Sequence, residues 1–201
     1  MKYLYRVGLF LLVAGPAAAQ QPAPRLPPTS FRSGSYQLKN GDWQRAKLLY
    51  DPQSLRVSDD HYKPDDPLLF SASQVQAFVV GRDTFGVVRE VDIPRPAQHL
   101  RATFVRQLYR RGGFQVSEYM AVQASPEPPI AYTVLSQGYR LVAVLPPGNV
   151  GFRLALAKAL QDYAALSHQL ELDPTILPVQ LPQLLSAYGS WKADQPTALK
   201  Q

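Results

Sequence analysis

The stretch SYQLKNGDWQRAKLLYD, residues 35–51, consists of two short strand-like runs that meet at Asn40–Gly41. A two-residue hairpin loop needs positive φ at both central residues, and Asn followed by Gly adopts that conformation readily. The stretch therefore predicts a β-hairpin that reverses the backbone so that apolar neighbours become buried. In its second arm, the alternating positions predicted to face the core are Gln44, Ala46, Leu48 and Tyr50.

Three further hairpins are predicted downstream, after a third short strand at 55–57. Strand-like runs flank short turn sequences in each of them, and the three hairpins cover 75–93, 102–122 and 130–146. The first arm of the middle hairpin is also compatible with a short helix. The last arm, 139–146, is apolar on both faces, which is typical of a central strand.

The hydrophobic period changes after Pro146 from the period of a strand to that of a helix. Asn149 is a suitable N-terminal cap, and Pro174 ends the helix that follows. The apolar stripe of that helix is Phe152, Leu156, Leu160, Tyr163, Leu166 and Leu170. A second, shorter helix is predicted to begin near Pro182, because proline suits the first turn of a helix.

The order of these elements, strands first and helices last, predicts an α+β fold. We expect an antiparallel, twisted sheet or half-barrel built from hairpins, followed by two C-terminal helices. The predicted single domain covers 35–193, with a β-rich part at 35–145 and a helical part at 149–193. Residues 194–201 have no apolar period and are predicted to form a disordered tail. The chain has no cysteine, so the stability of the domain has to come from burial and not from disulfides.

Residues 1–19 have the layout of a secretory signal peptide. Lys2 and Arg6 accompany a short apolar run, and residues 17–19 are the small alanines that a signal peptidase requires. The run is too short to span a bilayer, and no later segment is a candidate transmembrane helix. We therefore expect export to the periplasm or outside the cell, with a proline-rich lead-in at 20–34.

The charge of the chain argues against a nucleic-acid partner. The formal net charge is +6 at pH 7, and loss of Lys2 and Arg6 with the signal peptide leaves +4. That excess is mild compared with the basic stripes of nucleic-acid-binding domains, and export removes the protein from nucleic acid. It fits a soluble domain with a weak attraction to anionic surfaces.

Several motifs together resemble one protein family. They are Y-x-L-x-N-G-D-x-x-x-A-x-L-x-Y at 36–50, Y-x-P-D-D at 62–66, F-V-R-Q-L-Y-R-R-G-G-F-Q-V-S-E-Y at 104–119 and L-L-S-A-Y at 184–188. Over most of 34–192 the chain resembles a family of small, exported, uncharacterised β-rich envelope proteins of Gram-negative bacteria. The resemblance implies export and a β-rich body, and it implies no reaction and no catalytic residues.

A basic cluster next to the predicted turn at Gly112–Gly113 is the candidate binding site. It contains Arg106, Tyr109, Arg110 and Arg111. Guanidinium groups bind carboxylates and phosphates, so this cluster, together with Trp43, is a candidate site for an anionic glycan or a lipid headgroup. The alternative is a solvated hairpin tip, with the aromatic side chains used for packing.

An acidic loop between the third strand and the second hairpin is the candidate metal site. It contains Asp59, Asp60, His61, Asp65 and Asp66, which have the carboxylate and imidazole groups that bind Ca²⁺ or Zn²⁺. The spacing lacks the alternating Asp positions, the central Gly and the closing Glu of a calcium loop. The alternative is a solvated turn in which Asp side chains bond the local backbone.

Other catalytic arrangements have little support in the sequence. There is no cysteine and no Gly-x-Ser-x-Gly motif. Glu90, Asp92 and Glu118 lie on predicted strands and would form a two-carboxylate site only if their side chains converge. His99 lies in a predicted loop and has no assigned role.

The sequence therefore favours a non-enzymatic binding or structural protein of the bacterial cell envelope, with no cofactor. The competing hypothesis is a metal-assisted hydrolase that acts on an envelope polymer through the loop at 58–66. It requires the carboxylates of that loop and His61 to converge in a cleft. The sequence alone does not decide between the two.

Overall fold

The structure, a computed structural model, describes residues 27–58, 66–123, 127–138 and 140–195. Within these residues the strands are β1 (Arg32–Leu38), β2 (Trp43–Tyr50), β3 (Ser54–Ser58), β4 (Leu68–Ser71), β5 (Val75–Val80), β6 (Asp83–Pro94), β7 (Ala97–Arg111), β8 (Phe114–Ala121), β9 (Ile130–Gln137) and β10 (Arg140–Leu145). The helices are α1 (Asn149–Ala159), α2 (Ala164–Leu172) and α3 (Leu181–Asp194), with a 3-10 helix at Pro178–Gln180. No helix in these ranges is long and apolar enough to cross a bilayer.

The ten strands of the described residues form one open antiparallel sheet in the order β10-β9-β8-β7-β6-β5-β1-β2-β3-β4. The predicted α+β fold, an antiparallel sheet built from hairpins and followed by C-terminal helices, is confirmed. Strands that follow one another in the chain are neighbours in the sheet, except β4 and β5, because β5 is paired with β1 instead. The N-terminal hairpin therefore joins the sheet through a long-range pairing, not through its own turn.

The first hairpin has its turn at the predicted Asn40–Gly41, where the Gly41 N–H donates to the Leu38 carbonyl oxygen at 3.2 Å. Leu48, predicted to face the core, is fully buried. β1 begins at Arg32, so the sheet includes the last residues of the segment predicted as a lead-in. The Asn–Gly pair thus located this turn, but the predicted two-residue loop is wrong. The last pair, Gln37↔Trp43, leaves residues 38–42 in the loop, and neither Asn40 nor Gly41 has a positive φ.

The register divides the side chains of the sheet into two faces, because antiparallel partners point to the same side. We call the side that carries Phe85 and Phe104 the first face, and the side that carries Val88 and Val105 the second face. β1–β5 curl onto the first face, where Phe78 stacks on Phe85 with ring centroids 4.6 Å apart. The buried residues of this hairpin core are Tyr36, Leu48, Leu55, Val57, Ala72, Val75, Phe78, Val80, Phe85 and Phe104.

The C-terminal strands curl toward the second face instead. Leu141 and Val144 of the edge strand β10 pack against a core on this face and come close to β6, although β6 and β10 are not hydrogen-bonded neighbours. We call it the half-barrel core, and its buried residues are Val88, Val91, Ile93, Leu100, Val105, Tyr119, Ala121, Tyr132 and Val134. Glu90 has a left-handed φ of 50°, which shifts the alternation of β6 so that Val88 and Val91 enter the same core.

The predicted central position of the last strand is wrong, because β10 is an edge strand. Its two apolar faces have another cause. Val142 and Ala143 pack against the helices, while Leu141 and Val144 face the half-barrel core. Apolar residues on both faces indicate cover on both sides, which helices and curvature provide here without a second strand neighbour.

The segment predicted as one long helix is divided into α1 and α2 by a break at 160–163. Within the break, Asp162 accepts hydrogen bonds from Tyr188 Oη at 2.9 Å and Lys192 Nζ at 2.8 Å. Tyr163 stacks on Trp191, with ring centroids 4.6 Å apart. These contacts with α3 hold the break in place, and the helical spacing of apolar residues gives no sign of them.

Candidate functional site

A groove of about 590 Å³ lies on the second face of the sheet, at the open end of the half-barrel. We call it the mouth groove. Its polar lining residues are Gln76, Gln107, Arg110, Gln115, Ser117 and Ser136. Its apolar and small lining residues are Ala77, Gly86, Val87, Val88, Val105, Gly113, Phe114 and Gly138.

The strand register brings four of these polar residues together. Gln107 is paired with Ser117 across β7 and β8, and Gln115 is paired with Ser136 across β8 and β9. Because neighbouring strands lie about 4.8 Å apart, the four side chains form one compact patch on the same face. Amides and hydroxyls both donate and accept hydrogen bonds, so this patch suits a ligand that does the same.

The second face of β8 changes from polar to apolar along the strand, and this change creates the groove. Gln115 and Ser117 line the groove, whereas Tyr119 and Ala121 are buried in the half-barrel core. The core therefore ends at Ser117, and the space beyond it is open. Small molecules commonly bind in such barrel mouths.

Gly86 on β6 forms part of the floor of the mouth groove. A Cβ atom at this position would lie 2.7 Å from Nε2 of Gln107. The absence of a side chain at Gly86 therefore gives the Gln107 amide room to lie over the β6 backbone. A glycine in a strand often marks such a close approach.

Arg110 is exposed at the margin of the mouth groove, and Gln115 holds it in place. The Nε–H of Arg110 donates to Oε1 of Gln115 at 2.9 Å. The amide nitrogen of Gln115 in turn donates to the carbonyl oxygens of Tyr109 at 3.1 Å and Val116 at 3.0 Å. A guanidinium that is already oriented loses less freedom when it binds a carboxylate or phosphate.

Arg110 is the only charged side chain among the described residues that line the mouth groove. General acid–base catalysis needs a carboxylate, a histidine or a comparable group within reach of the substrate. A nucleophilic serine needs an adjacent base. Neither Ser117 nor Ser136 has such a neighbour among the lining residues. The groove is therefore equipped to bind and orient a ligand.

The basic cluster predicted from the sequence is not one surface. Arg106 is buried, and its Nη2 donates to Oε1 of Glu118 at 2.9 Å while its Nη1 lies 3.5 Å from Oδ1 of Asp83. A register shift between Gln107 and Tyr109 interrupts the alternation of β7. As a result, Arg110 lines the mouth groove and Arg111 lies beside α3.

The other two predicted binding residues are separated from Arg110. Tyr109 packs against the helices, and burial raises the pKa of its phenol to about 12. Trp43 lies on β2, where its side chain is 50% exposed. The exposed indole fits the prediction that this residue faces away from the core, but it is not part of the mouth groove.

Four of the five predicted metal ligands, Asp59, Asp60, His61 and Asp65, lie outside the described residues. The fifth, Asp66, is described and exposed. In the described ranges, no group of three or more His, Cys, Asp or Glu side chains is arranged to hold a metal ion. The metal hypothesis for the 58–66 loop therefore stays a prediction of the sequence.

The three strand carboxylates do not form a two-carboxylate site. Glu118 contacts the buried Arg106, whereas Glu90 and Asp92 lie at the other end of β6 on either side of His99. The His99 Nδ1 is 2.8 Å from Asp92 Oδ1, and Nε2 is 2.9 Å from Glu90 Oε2. No role was predicted for His99, because only the β6–β7 register shows that it is paired with Asp92.

We expect His99 to titrate above the ordinary range of histidine, because both ring nitrogens can donate to carboxylates only when the imidazole is protonated. The hydrogen bond to Asp92, and then that to Glu90, raises the pKa of His99. The associated stabilisation is present below the pKa of the unfolded chain and is lost as the pH rises through the higher folded-state pKa. An NMR titration of His99 should show this, and Asp92→Asn should lower the pKa. An unchanged pKa in that variant would contradict the assignment.

The residues that sequence reasoning missed are the neutral ones of the mouth groove, above all Gln107, Gln115, Ser117 and Ser136. The sequence of β8 carries a usable signal, because its alternate residues change from polar to apolar along one face. They are Gln115, Ser117, Tyr119 and Ala121. Comparison of the chain with protein-family models, with curated proteins and with solved structures gave no match.

Proposed function

We propose that this chain is an exported, non-catalytic binding protein of the bacterial cell envelope, and that its ligand is a glycan strand held in the mouth groove. The observation that carries the proposal is the lining of that groove, with side-chain amides and hydroxyls in register and one arginine at the margin. Export is supported by the signal-peptide layout of residues 1–19.

Glycan chemistry matches this lining group by group. Sugar hydroxyls donate and accept hydrogen bonds, as the Gln107 amide and the Ser117 and Ser136 hydroxyls do. The C–H faces of a sugar ring can pack on the apolar lining of the second face, such as Ala77 and Val105. Arg110 suits the carboxylate of an acidic sugar or of a peptide attached to it.

The same lining argues for binding and against hydrolysis of the glycan. Glycosidases use a pair of carboxyl groups on the two sides of the scissile bond. The described lining residues of the mouth groove include no Asp or Glu. Glu118 is the residue next to Ser117 on β8, but its carboxylate lies on the first face, where it contacts Arg106 and not the groove.

Binding of soluble peptidoglycan fragments, measured by calorimetry, tests this function. We expect Gln107→Ala combined with Ser136→Ala to weaken binding roughly 10- to 30-fold, at about 1 kcal/mol for each lost hydrogen bond. Gln169→Ala is the matched control, because Gln169 is exposed on α2 and distant in sequence from the groove strands. The control should bind as the wild type does.

Three results would contradict the proposed function. One is equal binding by the wild type and the double variant. Another is release of shortened fragments by the wild-type protein, detected by mass spectrometry, since it would show turnover. A failure of wild-type protein to bind any fragment would likewise remove the glycan strand as the ligand.

A further inference from the structure

The second face of β2, β3 and β4 carries several exposed side chains, and β1 separates it from β5, whose Gln76 and Ala77 line the mouth groove. Its register follows from the pairs Lys47↔Ser58, Leu49↔Arg56 and Arg56↔Leu69. We call it the cationic face, and its large side chains are Trp43, Arg45, Lys47, Leu49, Arg56 and Leu69.

The charged side chains on the strands of the cationic face all have one sign, and the described carboxylates nearest in sequence, Asp42, Asp51 and Asp66, lie in the connections between strands. Arg45, Lys47 and Arg56 are all exposed, and β1 to β4 contain no Asp or Glu. No ion pair within the described part of the chain uses any of these three cations. Because Lys47 lies two residues from Arg45 and diagonally across from Arg56, the three charges reinforce one another.

Two exposed apolar side chains lie on the same face as these cations. Trp43 is 50% exposed, and Leu69, which is paired with Arg56, is 65% exposed. The solvated face of an antiparallel sheet is normally polar, so an indole and a leucine among cations need an explanation. Tryptophan beside basic residues is typical of side chains that lie at the interface between lipid and water.

The shape of the cationic face suits a surface better than a single small ligand. From Trp43 to Leu49 the strand β2 extends about 20 Å, and the face is three strands wide. The five best-formed grooves of the described residues are all lined by residues outside the cationic face.

We propose that the cationic face docks the protein on the surface of an anionic phospholipid bilayer. Arg45, Lys47 and Arg56 contact the lipid phosphates, and the side chains of Trp43 and Leu69 enter the headgroup region. The inference concerns a different surface from the mouth groove and does not depend on the glycan ligand.

Vesicle flotation tests the proposal with the purified chain. The probe is vesicles of phosphatidylcholine with 30% phosphatidylglycerol, and pure phosphatidylcholine vesicles are the neutral comparison. We expect binding to the anionic vesicles only, and the triple variant Arg45→Gln, Lys47→Gln, Arg56→Gln should lose roughly 100-fold in partition coefficient, at about fivefold for each cation. All variants share the same N-terminus, so differences between them report on the cationic face.

The matched control removes three exposed cations elsewhere, Arg82→Gln, Arg101→Gln and Arg140→Gln, and it should bind within a few-fold of the wild type. Trp43→Ser should weaken binding while the thermal midpoint stays near that of the wild type. Equal losses in the control and the triple variant would show general charge attraction and overturn the proposal. Binding to soluble heparin without binding to anionic vesicles would also overturn it, in favour of a polyanion site.

Discussion

Replacement of Gly112 by alanine should lower the free energy of unfolding by on the order of 4 kcal/mol, because two independent costs combine at this residue. Gly112 has a φ of 58°, which non-glycine residues adopt only with strain. A Cβ atom at this position would also lie 1.9 Å from the carbonyl oxygen of Leu185 in α3. Since that neighbour is helix backbone, the substitution has to displace α3 from the sheet.

Gly113→Ala is the matched control for Gly112→Ala. Gly113 also has a positive φ, 83°, but no atom lies within 4 Å of its hypothetical Cβ. The control therefore carries only the backbone cost, about 1 kcal/mol. Urea unfolding of the two variants measures the difference. Equal destabilisation would mean that the β7–β8 turn does not contact α3 as described.

Arg106→Met should destabilise the fold by about 3–5 kcal/mol, the usual cost of removing one partner from a buried ion pair. The Arg106 side chain is only 5% exposed, and that of its partner Glu118 is 11% exposed. Removing the guanidinium leaves the Glu118 carboxylate in a largely buried position without the cation it faces. The methionine fills much of the same volume, so the effect comes from charge and not from a cavity.

The double variant Arg106→Met with Glu118→Leu distinguishes charge from packing. Replacing both members of a buried pair by apolar residues is often close to neutral. We therefore expect the double variant to be more stable than Arg106→Met alone in urea unfolding. Additive losses in the double variant would contradict this explanation and would indicate that the packing of each side chain matters more than the pairing.

The features predicted correctly from the sequence are those encoded by local chemistry. Gly112–Gly113 marks a turn, because both residues have the positive φ that few residues other than glycine adopt. Asn40–Gly41 also lies at a turn, although neither residue has a positive φ there. The apolar stripe from Phe152 to Leu170 identified the helical part and the side that is buried. These signals are sufficient for the order of the elements and for the α+β class.

The features that the sequence did not reveal depend on contacts between distant segments. The break between α1 and α2 follows from the bonds of Asp162 to Tyr188 and Lys192 in α3, which helical periodicity cannot show. β10 is an edge strand, and its two apolar faces are covered by the helices and by the half-barrel core. Apolar periodicity reports that a residue is buried, but not which element covers it.

The candidate site was missed for a related reason. A run of arginines stands out in a sequence, yet Arg106 is directed to Glu118 and Arg111 to the side of α3. Glutamine and serine are common on strands, and only the register shows that Gln107, Ser117, Gln115 and Ser136 form one patch. Composition identifies charge clusters, whereas a site of neutral groups becomes visible only when the strands are aligned.

The most direct test of glycan binding is an NMR titration of the ¹⁵N-labelled chain with soluble peptidoglycan fragments. We predict that the largest shifts occur in the side-chain amide signals of Gln107 and Gln115 and in the backbone signals of Ser117 and Ser136. The Trp43 indole signal on the cationic face should stay in place. Shifts concentrated on the cationic face or on the helices, with the groove signals unchanged, would contradict the assignment of the mouth groove as the ligand site.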